Sequence, residues 1–153
     1  MPKFSPKTMQ RFMPLWPPFL GAGIKVELVE EDGSRVVTSH TPRLLTKNIV
    51  STAFGGTIQS MTDPFFMYMS MVRLGGAYNV WDVEATATFR KPGRGKISAD
   101  MRTDDETFDL IRERTADGEK HLHWFEVDVT DGEGDVVATV RRKVYFRKKK
   151  SAA

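Results

Sequence analysis

The sequence of 153 residues contains no cysteine and no long apolar run. The absence of cysteine excludes disulfides, thiolate metal sites, iron–sulfur clusters and a cysteine nucleophile. The longest apolar stretch runs from Phe65 to Val72 and is far shorter than the roughly 18 residues that a transmembrane helix needs. We therefore expect no membrane partner.

A secretory signal is also disfavoured. The apolar segment near the N-terminus is interrupted by Pro14, Pro17 and Pro18, whereas signal peptides carry an unbroken apolar stretch. A cytoplasmic location is therefore the default expectation.

The formal net charge of +3 comes from the C-terminal end of the chain. Residues 141–150 hold seven of the 23 Lys and Arg residues and no acid, so the rest of the chain is net negative. Aromatic and basic residues alternate from Lys143 to Arg147, as they do in some nucleic-acid-binding segments. Strand alternation explains this pattern equally well, with Val144 and Phe146 facing inward. We predict no nucleic-acid partner and a basic tail over residues 147–153.

A chain of this length is typical of one domain, so residues 1–153 are expected to form a single domain. Residues 1–23 are expected to form a short helix, from about Pro6 to Met13, and then an extended proline-rich arm. That arm would pack Trp16 and Phe19 on the core.

Apolar periodicity predicts one long helix among strands. Residues spaced by three or four from Phe54 to Leu74 indicate the helix, which Gly75-Gly76 would end. Alternation predicts strands before and after it, and the residues between Asp104 and Glu113 are a helical turn or a strand connection. The predicted strands are Ile24–Glu30, Arg35–Ser39, Trp81–Phe89, Ile97–Thr103, His121–Thr130 and Val136–Arg147. This order is typical of an α+β fold with an antiparallel sheet.

Two short motifs carry a resemblance to a known family. In the first, Asn48 lies six positions before Phe54-Gly55-Gly56, and six residues separate Gly56 from Asp63. The second is the segment from Phe89 to Ala99, which contains Pro92 and Arg94. Together they resemble the hotdog-fold acyl-coenzyme A thioesterases of the phenylacetate-pathway type, and a related uncharacterised bacterial hotdog family. The resemblance implies an antiparallel sheet wrapped around one long central helix. It also implies an acyl-coenzyme A substrate, no separate cofactor, and a homodimer or homotetramer with its active sites between subunits.

The resemblance assigns roles to the residues at the helix. Asp63 would be the base or the nucleophile, Asn48 would lie in the preceding loop, and the backbone amides at Gly55 and Gly56 would polarise the thioester carbonyl. Gln59 and Ser60 share a helix face with Asp63 and would position water or the carbonyl. Phe54, counted with the substrate-binding residues, stands where the thioesterases have His. This departure favours an alternative, a non-catalytic acyl- or coenzyme A-binding dimer.

Asp63 has two further interpretations. Followed by Pro64, it is typical of a helix N-cap with proline at the first helical position. In the other interpretation a continuous helix kinks at Pro64 and frees the Ser60 carbonyl for water or a ligand.

Two groups of residues are candidates for substrate binding. Met67 belongs to a cluster of methionine and aromatic residues between Met61 and Met71, which indicates either an adaptable acyl pocket or plain core packing. Arg90, Lys91 and Arg94 would either contact the coenzyme A phosphates or form a solvated hairpin. No metal site is predicted, because His121 and His123 share a strand face without a third ligand.

Overall fold

The computed structural model describes residues 5–150, and the ends of the predicted arm and tail, residues 1–4 and 151–153, lie outside the described residues. Six antiparallel strands form one sheet in the order β1-β2-β4-β5-β6-β3. The strands are β1 (Ile24–Val29), β2 (Arg35–His40), β3 (Tyr78–Phe89), β4 (Ile97–Arg102), β5 (Lys120–Asp131) and β6 (Val136–Lys148). The helices are α1 (Pro6–Phe12), α2 (Pro17–Ala22), α3 (Gly55–Ser60), α4 (Phe65–Leu74) and α5 (Asp105–Arg114).

The central helical segment lies against one face of the sheet and supplies much of the core. Ile58, Met61, Phe65 and Met69 are almost completely buried there. The predicted α+β architecture, a sheet around one central helix, is confirmed. Burial of these large side chains contributes most of the driving force for this packing.

The central helix is interrupted between Met61 and Pro64, because proline has no N–H to continue the helical hydrogen bonds. α4 begins at Phe65, and Pro64 occupies its N-cap position. The Asp63 side chain therefore does not cap α4. The Ser60 carbonyl accepts a hydrogen bond from the Asp63 amide at 3.1 Å. Both alternative interpretations of Asp63 are therefore wrong: it is not the N-cap, and the Ser60 carbonyl is not freed.

The N-terminal segment is helical rather than extended. α1 confirms the first predicted helix, but a 3₁₀ turn over Met13–Leu15 and then α2 follow it. The 3₁₀ turn and α2 each have a proline in the first turn. A backbone N–H has no helical partner there, so its absence costs no hydrogen bond. Phe19 is buried and packs 5.9 Å from the Phe65 ring, whereas Trp16 stays half exposed. The predicted packing on the core is thus correct for Phe19 and wrong for Trp16.

Strand β3 differs most from its predicted environment. It is an edge strand paired only with β6, and a bulge between Asp82 and Glu84 shifts its register. The alternation in Trp81–Phe89 predicts an apolar face packed on the core, but Trp81, Val83 and Phe89 are about half exposed. The bulge and the edge position together explain the error, because no second layer of the same chain covers this face.

The remaining connections follow the predicted order. The segment after Asp104 is a helix, α5, which Asp104 caps by accepting a hydrogen bond from the Thr107 amide at 2.7 Å. β6 extends to Lys148, and the Lys149 amide still bonds to the Ala77 carbonyl at 2.8 Å. The basic end is therefore tied to the fold beyond the predicted start of the tail. Over residues 5–150, none of the helices has the length and apolar character needed to cross a bilayer.

Candidate functional site

A buried arginine organises the junction between α3 and α4. Arg142, on β6, is only 4% exposed. Its Nη1 donates hydrogen bonds to Asp63 at 2.8 Å and to Asp82 at 3.2 Å. Its Nη2 donates to the Gln59 carbonyl at 2.8 Å, and its Nε donates to the Thr62 hydroxyl at 3.2 Å. The guanidinium thereby fixes the turn that carries Asp63 against the sheet.

Arg142 is not among the residues predicted from the motifs, although its position in the strand carries a signal. Arg142 lies at an inward position of β6, in register with Val140, Val144 and Phe146, all of which are completely buried. A charged residue in an apolar strand register is expensive unless it is paired. That position alone therefore indicated a buried carboxylate partner.

Asp63 is the exposed member of this cluster. Its carboxylate is 55% exposed, and one oxygen, Oδ2, accepts the Arg142 hydrogen bond. Within residues 5–150, Oδ1 of Asp63 has no hydrogen-bond partner. A carboxylate that is anchored by one oxygen and open at the other can accept a proton from water or attack a carbonyl.

Asp82 is the enclosed member. Its Oδ1 is buried and has no hydrogen-bond partner among the described residues. Burial is the largest influence on its pKa and raises it; Arg142 acts against this shift, and the neighbouring Asp63 carboxylate adds to it. Arg142 lies closer to Asp63 than to Asp82, and it offsets the burial of Asp82 only in part. Strand alternation places Asp82 on the polar face of Trp81–Phe89, where it would be solvated, paired at an interface or at the rim of a site; the bulge in β3 turns it toward the junction.

The start of α3 presents two glycine amides between two phenyl rings. The amides of Gly55 and Gly56 have no hydrogen-bond partner among the described residues, as expected for a first helical turn. A Cβ atom on Gly56 would lie 2.5 Å from the Phe54 ring, and one on Gly55 would lie 2.9 Å from the Phe89 ring. The two rings pack directly against the glycines, so a larger residue at either position would require the neighbouring ring to move.

Asn48 holds the loop before α3 in shape. Its side-chain oxygen accepts hydrogen bonds from the amides of Val50 and Thr52, both at 3.0 Å. Its side-chain nitrogen donates to the Thr52 hydroxyl at 2.9 Å and to the Ala53 carbonyl at 3.3 Å. These contacts give Asn48 a positioning function for the loop that leads into Phe54 and Gly55.

The basic turn lies beside the helix start. Arg90 and Lys91 line a cleft of about 390 Å³ together with Asn48 and Gly55. The Lys91 ammonium binds the carboxylates of Asp131 at 2.7 Å and Asp135 at 2.6 Å. The positive charge of Lys91 is therefore already balanced by these two carboxylates.

The turn residue Arg94 is exposed and lies in an adjacent cleft with Lys91. The two acids that bind Lys91 also form, with Glu133, the one set of three clustered metal-type ligands among the described residues.

The predicted substrate residues on the helices separate into two places. Phe54, Gly56 and Ser60 line a cleft of about 410 Å³, and Gln59 is half-buried on the same face of α3. Met67 instead lines a larger apolar groove of about 770 Å³, bounded by α1, the 3₁₀ turn after it, Trp16 and α4. We call it the α1–α4 groove. Met61 and Met69 are completely buried, so core packing explains them, whereas Met67 and Met71 are half-buried at the groove.

Comparison with known proteins gives the family. A family model described as a domain of unknown function (DUF4442) matches residues 7–146. The chain belongs to this DUF4442 family. No curated protein matches its sequence.

Solved structures show which fold this DUF4442 chain adopts. A Pseudomonas aeruginosa protein of unknown function, PA5026, described as a probable thioesterase, aligns with a TM-score of 0.79 at 17% identity, covering 94% of this chain and 95% of that one. The thioesterase HI1161 of Haemophilus influenzae aligns with a TM-score of 0.69 at 11% identity, over 99% and 96% of the two chains. The E. coli PaaI protein of the phenylacetic acid degradation operon aligns with a TM-score of 0.57 at 16% identity, over 84% and 81%. The hotdog fold predicted from the motifs is confirmed.

In this DUF4442 chain the two halves of the candidate site are apart. Gly55 and Gly56 begin α3, and Asp63 follows its end. α3 is six residues long and spans roughly 9 Å along its axis. The amides and the carboxylate therefore lie at opposite ends of this helix.

Proposed function

We propose that the protein hydrolyses acyl thioesters of coenzyme A. The observation that carries this proposal is the Asp63 carboxylate, half exposed and held by a buried Arg142, in a fold whose first helical turn offers two unpartnered glycine amides. Thioester hydrolysis needs a base or nucleophile and a group that stabilises the oxyanion. These two features supply the two requirements.

The chemistry assigned to Asp63 is acid–base catalysis or nucleophilic attack. As a base, the open Oδ1 accepts a proton from water while the water oxygen attacks the thioester carbon. The carbonyl electrons move to oxygen, where the Gly55 and Gly56 amides donate hydrogen bonds. When the carbonyl re-forms, the carbon–sulfur bond breaks, and the coenzyme A thiolate takes the proton back.

We infer that two copies of the chain build each site. The hotdog fold, and the position of the amides and Asp63 at opposite ends of α3, support a site in which the two come from different chains. The free edge of β3 and its half-exposed Trp81, Val83 and Phe89 form an apolar surface beside α3. A long edge strand with exposed apolar side chains is a pairing surface for a second strand. A homodimer, or a homotetramer built from such dimers, completes the site.

The basic turn is assigned to the coenzyme A phosphates. Arg90 lines the cleft at the helix start, and Arg94 is exposed on the turn that follows. Arginine binds phosphate in a bidentate manner. Lys91 is a weaker candidate, because a phosphate would have to compete with Asp131 and Asp135 for its ammonium group.

The test is a hydrolysis screen over aryl and straight-chain acyl-coenzyme A substrates with wild type and Asp63→Asn. The amide still accepts the Arg142 hydrogen bond, so the fold should persist while kcat falls by about 10²-fold or more. Asp109→Asn is the matched control, because Asp109 is an exposed acid paired with Arg112 on α5. Equal turnover in Asp63→Asn and wild type would remove Asp63 from the mechanism.

A non-catalytic acyl- or coenzyme A-binding dimer is the second candidate. The observation that favours it is the Phe54 ring against Gly56, because a phenyl ring gives no hydrogen bond to a carbonyl. Tight binding of coenzyme A without hydrolysis of any thioester would support this candidate and overturn the first.

A further inference from the structure

The α1–α4 groove exposes large apolar side chains to solvent. On the N-terminal side Phe12 is 55% exposed, Leu15 is 62% exposed and Trp16 is 49% exposed. The opposite wall is α4, where Met67 and Met71 are half-buried. A contiguous apolar concavity of this kind marks a binding site, because single exposed apolar residues are common but clustered ones are not.

The lining of the groove specifies an uncharged and flexible occupant. Among the described residues that line it there is no Lys, Arg, Asp or Glu, and four are methionines. Burial raises the pKa of Tyr68, another lining residue, to about 12, so its hydroxyl brings no charge at neutral pH. Methionine side chains adapt to irregular apolar ligands. A volume of about 770 Å³ is that of a small-molecule pocket rather than of a broad protein interface.

One lining residue of the groove is adjacent in sequence to the candidate catalytic carboxylate. Pro64, which directly follows Asp63, lines one part of it, and Met67, Tyr68 and Met71 follow on the same face of α4. The spacing of three, four and seven residues places them in a row. The row extends roughly 10 Å along the helix from Pro64. An acyl chain whose thioester lies at Asp63 would therefore run along this face.

We propose that the α1–α4 groove holds the hydrocarbon chain of the substrate and makes the site selective for thioesters of medium- to long-chain acyl groups. The inference rests on the proposed thioesterase function for the position of the thioester at Asp63. Short acyl groups leave the groove unfilled, and acyl groups with a terminal carboxylate would lose hydration there without gaining a partner.

The binding test uses thioethers of coenzyme A, which are not hydrolysed, with straight chains from butyl to dodecyl. Each added methylene should strengthen binding by roughly fourfold until the groove is full. With isotopically labelled methionine methyl groups, the resonances of Met13, Met67 and Met71 should shift. Met101, buried in β4 away from the groove, is the internal control. Equal affinity for butyl and dodecyl thioethers, or unmoved Met67 and Met71 resonances, would overturn the inference.

Two variants place a carboxylate on opposite walls of the groove. Met71→Glu and Phe12→Glu should each remove the gain in affinity with chain length, so that the dodecyl thioether binds like the butyl one. Both positions are partly solvent-exposed, and two independent variants protect the test against one that fails to fold. Leu110→Glu, at an exposed leucine of α5, is the matched control and should keep the full gain.

The outcomes separate this inference from the proposed function. Chain-length-dependent binding without hydrolysis of any thioester would leave the groove as an alkyl site and overturn the thioesterase proposal. Hydrolysis with the same kcat/KM for butyryl and dodecanoyl substrates would leave the thioesterase proposal standing and overturn the groove assignment. A smaller sedimentation mass in both glutamate variants, with no change in thioether binding, would show that a second copy covers the groove and would also overturn it.

Discussion

Arg142 and Asp63 form the ion pair that connects the sheet to the turn in the central helix. The two residues are far apart in sequence, and their Nη1 and Oδ2 atoms lie 2.8 Å apart. The same Nη1 also donates to Asp82, so one positive charge serves two carboxylates. The position of the proposed catalytic carboxylate therefore depends on a residue of β6 and on the packing of β3 beside it.

Replacing Arg142 by methionine should destabilise the fold. The change leaves Asp82 and the Gln59 carbonyl without their buried partner, and breaking a buried ion pair from one side costs about 3 to 5 kcal/mol. We expect the lower end of this range, because Asp63 is half exposed and regains water. Urea denaturation measures the change in the free energy of unfolding.

The control for this variant is its neighbour on β6. Arg141→Met removes an exposed arginine that lies 3.5 Å from Glu126 and over the Trp124 ring, and it should cost less than about 1 kcal/mol. Similar costs for the two variants would contradict the organising function of Arg142.

The raised pKa of Asp82 predicts a stability that falls as pH rises. The folded state binds the Asp82 proton more tightly than the unfolded state, whose pKa is near the ordinary 3.8. The stability linked to this proton is complete below that value and is lost as pH rises through the raised pKa. Asp82→Asn should remove this loss, and it should be neutral or stabilising near pH 7. Urea midpoints measured from about pH 3 to pH 7 test this expectation.

Asp100→Asn is the control of opposite sign. The hydrogen bond from Arg35 lowers the pKa of Asp100, so its stabilising effect is present above the ordinary pKa and is lost as pH falls through the lowered one. Asp100→Asn should therefore lower the free energy of unfolding near neutral pH and change it little in acid. A destabilised Asp82→Asn with the same pH profile as Asp100→Asn would contradict the raised pKa of Asp82.

The sequence predicts the elements of this fold well where one periodicity dominates. The alternation in Ile24–Glu30 and the three- and four-residue spacing from Phe54 onward both correspond to observed elements. The proline-rich segment after the first helix is predicted to be an extended arm. The structure places Pro17 and Pro18 in the first turn of α2, where proline is tolerated.

The site was less predictable because it depends on pairings that no local pattern contains. The motif identified Asp63 and Gly55-Gly56, but not the Arg142 that holds Asp63 in place. Simple alternation places Asp82 on the polar face of the strand, and a bulge of one residue turns it inward. Bulges and buried ion pairs are long-range features, so single-sequence periodicity does not reveal them.

Phe54→His should accelerate thioester hydrolysis. The imidazole would add an N–H donor beside the Gly56 amide, where phenylalanine offers none, and one oxyanion donor contributes up to about 10²-fold to kcat. Phe54 is 57% exposed, so the change should not disturb the core. We expect kcat to rise at least about tenfold with little change in KM, as measured on the best substrate of the screen.

Phe89→His is the matched control, because Phe89 is similarly exposed and packs against the other glycine, Gly55. An increase in kcat in Phe89→His but not in Phe54→His would show that the thioester carbonyl binds on the Phe89 side of the helix start. Unchanged kcat in both variants would contradict a carbonyl bound at these amides.

The exposed edge of β3 predicts that assembly and activity are lost together. Val83→Lys introduces a charge at the centre of the surface on which a second copy is proposed to dock, and lysine on an edge strand opposes strand pairing. Val83 is 45% exposed in the single chain, so we expect the variant to fold and to sediment with the mass of one chain. It should also lose turnover, because Asp63 of one copy would no longer meet the amides of the other. Leu110→Lys on α5 is the matched control, since Leu110 is also an exposed apolar residue, at 37%, and lies on a helix outside the β3 surface. A Val83→Lys variant that sediments as one chain and keeps full activity would show that a single chain completes the site, contrary to the proposed two-chain arrangement.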